Sequence, residues 1–178
     1  MPCGDAAVNK LQLVFVVFLS ALVGFSIGNI IIKKYDSEAF RPWTWKHPPV
    51  VVNCYGKELG EAYIVEAVHY WTIRNEKFAF IEQNPSEKVC KNDFIHGFIL
   101  IKKKDLHHNV LGSTVRKVFM GNIVSSVFYF DEGTYRMDNV MIHEIGHAIG
   151  YNHVELDGHI MHPLWDKMTD KFWIPEYL

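Results

Sequence analysis

The sequence predicts an α+β domain, a mixed sheet backed by helices, preceded by one N-terminal transmembrane helix. Three observations carry that expectation. Between residues 50 and 150 the apolar patterning runs strand, helix, several strands, helix, which is the order of a segregated sheet-and-helix domain. Leu11 to Ile32 holds no charged residue and is about as long as the hydrocarbon core requires. The whole chain, 178 residues, suffices for one domain with a true core plus an extra segment.

The N-terminal run is bracketed by Lys10 and Lys33-Lys34. Two readings stand: a retained anchor, or a signal peptide cleaved after Ser26-Ile27-Gly28 and followed by secretion. Ile30-Ile31-Ile32 continues the apolar stretch past that cleavage site, which favours the anchor. Gly24 and Gly28 stand four apart and would let two such helices approach closely, a weak basis for a homodimer. Basic residues outnumber those before the run at Lys33, Lys34, Arg41 and Lys46, and by the positive-inside tendency this points the domain to the cytoplasm. Large domains translocate regardless of such charges, so the side stays open. The expected division is 1–33 anchor, 34–49 linker and 50–178 folded domain, with Pro42, Pro48 and Pro49 interrupting regular structure in the linker.

Val50-Val51-Val52 reads as a buried strand. Leu59 to Arg74 reads as a helix with Ala62, Val65, Val68 and Ile73 on its apolar spacing. Phe78 to Ile81 is strand-like and ends at Asn84-Pro85. Phe94 to Ile101, Thr114 to Met120 and Ile123 to Phe130 complete the strands. Trp165 to Phe172 is expected to form a short helix, with Trp173 and Ile174 docked on the core.

Net charge is −2, which offers no field for nucleic acid, and Lys102-Lys103-Lys104 reads as a solvated strand end. Of the three cysteines, Cys54 and Cys90 admit a bridge outside the cytoplasm, but isolated buried thiols are the favoured reading. His69 reads as a packed or partly exposed side chain, and His96, His107, His108 and His159 read as surface side chains.

Val140 to His153 concentrates the chemistry: it runs His143-Glu144-x-x-His147-x-x-Gly150-x-x-His153. Residues four apart on a helix share a face, so His143 and His147 can present two imidazoles to one ion. Gly150 can take positive φ, ending the helix and letting the chain return His153 as third ligand. Three neutral histidines with one open position fit a catalytic zinc site better than a structural one, which usually closes four ligands. Gly146, inside the helix, implies close packing against it.

With Gly158, Met161 and Pro163 following at set offsets, the stretch resembles the metzincin clan and most nearly the matrixins, whose zinc helix is followed by a methionine turn. Phe128-Tyr129-Phe130-Asp131-Glu132 is similar to the acidic end of their last strand. The resemblance implies a metzincin, matrixin-like zincin fold with Zn2+ as cofactor. It also implies hydrolysis of peptide bonds in a protein substrate. In it Glu144 is general base, His143, His147 and His153 are ligands, and Met161 lies beneath the metal without binding it. Substrate is expected along an edge strand at Ser113 to Met120. Val154 and His162 depart from the usual matrixin residues. Pro2-Cys3-Gly4-Asp5 echoes the latency motif but lacks its arginine, and is read as coincidence. The alternative is an inactive membrane-tethered binding or structural protein that retains a zinc site.

Overall fold

A computed structural model describes residues 40–107 and 109–174. The expected anchor at 11–32, the glycine pair Gly24 and Gly28, and His108 lie outside them. Among the described residues no helix is long and apolar enough to cross a membrane.

Among the described residues six strands form one sheet: β1 (Thr44–Trp45), β2 (Val50–Asn53), β3 (Ile81–Glu82), β4 (Phe98–Lys103), β5 (Gly112–Phe119) and β6 (Asn122–Phe130). β3, β2, β4 and β6 are neighbours in that order and parallel, and β1 runs parallel to the start of β6. Only β5 is antiparallel, paired along the whole of β6 from Gly112↔Phe130 to Phe119↔Asn122, with a bulge at Lys117/Val118. β5 has no second partner among the described residues, so its outer backbone rim is a sheet edge. The alternation of Ile99 and Ile101 against Leu100 sends side chains to opposite faces. One face carries the main core with Val51, Ile99, Ile101, Phe128 and Phe130. The other holds a smaller cluster of Val52, Leu100 and Val127 under the segment around Val89, Phe94 and Ile95.

Two main helices back the first face: α1 (Glu61–Thr72) and α3 (Val140–Ala148), with the single turn α2 (Glu87–Cys90) between them in sequence. In α1 the face that packs is not the expected one. Ile64, Ala67, Tyr70 and Trp71 are buried and Val68 packs partly against the core, whereas Ala62, Val65 and Ile73 are exposed. Apolar residues occur on both sides of this helix, and the side bearing the two large aromatics removes more area from water. Trp71 also ties α1 to α3, its indole N–H donating to the Ile142 carbonyl at 2.8 Å.

Other expectations are corrected by the structure. Strand pairing near Phe78 is confined to Ile81–Glu82, and Phe80 is exposed. The C-terminal helix is only a 3-10 turn, Trp165–Lys167. Phe172 rather than Ile174 docks on the core, packing on Trp71 and Tyr151. Residues 40–49, expected within the linker, are built into the domain: Phe40 is buried, Trp45 pairs in β1, and the Asn152 N–H donates to the Phe40 carbonyl. The three prolines in that stretch exclude a helix but not a short strand and a packed strap. Cys54 and Cys90 are joined in a disulfide, contrary to the favoured reading of free thiols, and it fastens the end of β2 to α2. His159, expected at the surface, is fully buried.

Candidate metal centre

α3 carries His143 and His147 one turn apart and stops where Gly150 takes φ +119°. A Cβ at Gly150 would overlap the Trp43 carbonyl oxygen, so the turn depends on glycine for space as well as for φ. Trp45 caps the same helix end, its indole N–H donating to the Ala148 carbonyl at 2.9 Å. The chain then reverses and brings His153 back over the helix. The Nε2 atoms of His143 and His147 lie 3.3 and 3.0 Å from Nε2 of His153. His143 is buried, His147 half-buried and His153 exposed, which leaves the group open on one side.

The outer nitrogens fix the tautomers. Nδ1–H of His143 donates to the Ile160 carbonyl at 2.8 Å, and Nδ1–H of His147 to the Tyr151 carbonyl at 2.7 Å. With those protons committed, both Nε2 atoms present lone pairs inward toward the same point. Lone pairs this close repel unless a cation lies between them. Nitrogens about 2.0–2.1 Å from a tetrahedral zinc stand about 3.3 Å apart, so the donor set fits that ion. Burial pushes the His143 imidazole down to about 4 and the His147 and His153 imidazoles below their ordinary value, keeping all three neutral near pH 7.

Glu144 is buried beside the triad. Desolvation pushes its carboxyl up to about 7, opposed by the Thr114 hydroxyl, which donates to it. β5 passes so close that a Cβ at Gly112 would stand 2.5 Å from the Glu144 carboxylate. On the far side of α3, a Cβ at Gly146 would meet Met161 Sδ at 2.5 Å and Trp71 at 2.6 Å. That explains the helical glycine: Met161 and Trp71 press on the α3 backbone there. Met161 is positioned by backbone pairing with Val154 and by its own N–H, which donates to Nδ1 of His159.

Two cavities flank Glu144. One, about 430 Å³, is walled by Ser113, Thr114, Arg116, His147 and Asn152. The other, about 280 Å³, reaches from His143 and Glu144 to Leu111, Val140, Trp165 and Met168. Thr114 and Arg116 were not singled out from sequence, and His159 was read only as a surface histidine. Strand alternation inside Ser113 to Met120 would have put Thr114 and Arg116 on one face, but only the tertiary fold shows that this face meets α3.

A group of three histidines, two on α3 and one on the segment that follows it, with the edge strand β5 beside them, defines the domain as one built around a metal centre. The sequence model of the matrixin family matches residues 34–176, and the chain belongs to the matrixins, a family of zinc metalloproteases. No curated protein matches the chain.

Proposed function

We propose that the chain is a zinc metalloendopeptidase in which His143, His147 and His153 hold the metal and Glu144 handles the proton. The observation that carries this is the convergence of three Nε2 atoms, open on the His153 side, with a buried carboxyl beside them. Zinc held by those three histidines would supply Lewis acidity toward the scissile carbonyl and a water. Glu144, poised near neutrality, takes the proton from that water as its oxygen bonds to the carbonyl carbon. It passes the proton to the nitrogen as the C–N bond breaks. β5 offers its free backbone rim to an extended peptide, which aligns the bond over Glu144. The cavity bounded by Leu111, Val140 and Trp165 receives one substrate side chain.

For its setting we propose a membrane tether through residues 11–32 with the domain on an oxidising side. The Cys54–Cys90 disulfide supports that side against the basic-residue count, because such bridges persist outside the reducing cytoplasm. Protease protection of the domain in intact vesicles tests it: digestion from the cytoplasmic face overturns the assignment.

The functional test uses the purified protein. It should contain about one zinc per chain and cleave an unstructured protein. Chelation should stop cleavage, and Glu144→Ala should lose it. Turnover by that variant at the wild-type rate refutes the mechanism.

A further inference from the structure

Arg116 is the one guanidinium in the wall of the larger cavity beside the metal centre. It projects from β5 toward the end of α3, where its Nη1 donates to the His147 carbonyl at 3.1 Å and the Tyr151 carbonyl at 3.4 Å. Nη2 donates to Asn152 Oδ1 at 3.0 Å, and the Trp43 ring lies 5.3 Å away. These contacts hold the fork in place. Capping the carbonyls of a helix end offsets only part of a full positive charge.

Among the described residues the rest of that charge has no carboxylate counterpart. Among the described residues Arg116 forms no ion pair with a carboxylate, unlike Arg41, which pairs with Glu76 at 2.6 Å. Desolvation alone lowers its pKa, with no acidic neighbour acting against it. Its field reaches His147 and His153, so the fold keeps a half-buried cation beside a site suited to a second cation. An anion entering the cavity would relieve both.

We propose that Arg116 is a specificity residue that reads a carboxylate of the substrate, an aspartate or glutamate side chain. This rests on the peptidase reading above. Gly112 and Thr114 both abut Glu144 and mark the stretch of β5 level with the scissile bond, and Arg116 stands two residues beyond Thr114, about 7 Å at strand rise. A peptide adding antiparallel to β5 places its N-terminal part there. The preferred substrates therefore carry an acidic residue two or three positions before the cleaved bond. Charge-assisted contact to a fork-shaped donor distinguishes a carboxylate from its amide isostere.

The test is a matched peptide set with Glu, Gln or Lys at those positions, cleaved by the full zinc-loaded chain. The Glu peptide should exceed the Gln peptide about 10-fold in kcat/KM, with Lys lowest, and 1 M NaCl should shrink the ratio. Arg116→Gln should bring the Glu/Gln ratio to about one, while Arg116→Lys should retain part of it. Because the readout is a ratio within each enzyme, a general loss from altered packing does not mimic it. Equilibrium binding of the same peptides to Glu144→Gln protein is measured in parallel and needs no turnover. Binding that prefers Glu through Arg116 without any cleavage supports this assignment and overturns only the peptidase reading. Cleavage or binding with equal use of Glu and Gln, a preference unchanged in Arg116→Gln, or a preference only for acid after the bond overturns it.

Discussion

The Thr114 hydroxyl donates a hydrogen bond to the Glu144 carboxylate, Oγ1 to Oε2 at 2.5 Å, joining the middle of the edge strand to the acid that the proposed mechanism relies on. The carboxylate is therefore held from the side of the substrate strand, not from its own helix. Such a bond to a charged acceptor contributes about 1.5–3 kcal/mol. Thr114→Val removes the donor at nearly constant shape and should lower kcat about 10-fold or more with little change in KM. Thr114→Ser should recover most of the rate. A valine variant with wild-type kcat would show that the carboxylate needs no such hold.

How much of this was legible before folding follows from the range of each interaction. His143, Glu144, His147 and Gly150 act through helical spacing, which is local, and the sequence reading placed them on one helix that ends at the glycine. Gly146 was legible as a close contact, though not that Met161 and Trp71 make it. The Thr114 and Arg116 contacts span 30 residues or more of chain and depend on how β5 settles over α3. The packed face of α1 was misread because both faces carry apolar residues, and tertiary area chose between them. His159 was misread because a histidine with both ring nitrogens bonded can be buried neutral, which its neighbours in sequence do not reveal.

The Cys54–Cys90 bridge closes a loop with a sequence separation of 36 residues. In the chain-entropy account such a loop restricts the unfolded ensemble by about 3–4 kcal/mol. The double substitution Cys54→Ala, Cys90→Ala should lower Tm by about 10 °C while leaving the metal ligands untouched. Calorimetry of the zinc-loaded proteins checks this. A Tm unchanged by the substitution, or by reductant on the wild type, would remove the bridge from the stability of the fold.

Trp165 closes the smaller cavity. Its indole N–H donates to the Asp138 carbonyl at 2.9 Å, so the ring is tied to the segment leading into α3 and stands opposite Leu111 and Val140. Trp165→Ala should raise the relative kcat/KM for peptides with a larger aromatic at that position about 10-fold, the scale on which apolar pockets discriminate size. Competing paired peptides against each other in one reaction measures the shift, and an unchanged ratio would mean the ring does not bound the pocket.

His159 makes the domain sensitive to acid through a residue outside the metal triad. Nδ1 accepts from the Met161 N–H, and Nε2–H donates to the Trp173 carbonyl at 2.9 Å, which uses both nitrogens of a neutral ring. Burial lowers its pKa from 6.5, with the Trp173 bond acting in the opposite direction. The unfolded chain therefore takes up this proton first on acidification. The contribution to stability is complete above pH 6.5 and is lost as pH falls from there through the lowered folded value. Protonation would set an N–H against the Met161 N–H and loosen the methionine turn under the metal. His159→Gln keeps hydrogen-bonding capacity without the titration. With saturating zinc in both proteins, Tm should fall less steeply between pH 7 and pH 5 in the variant than in the wild type. With the ligands held by metal in both proteins, the difference between the two slopes reports His159, and parallel slopes would overturn its role.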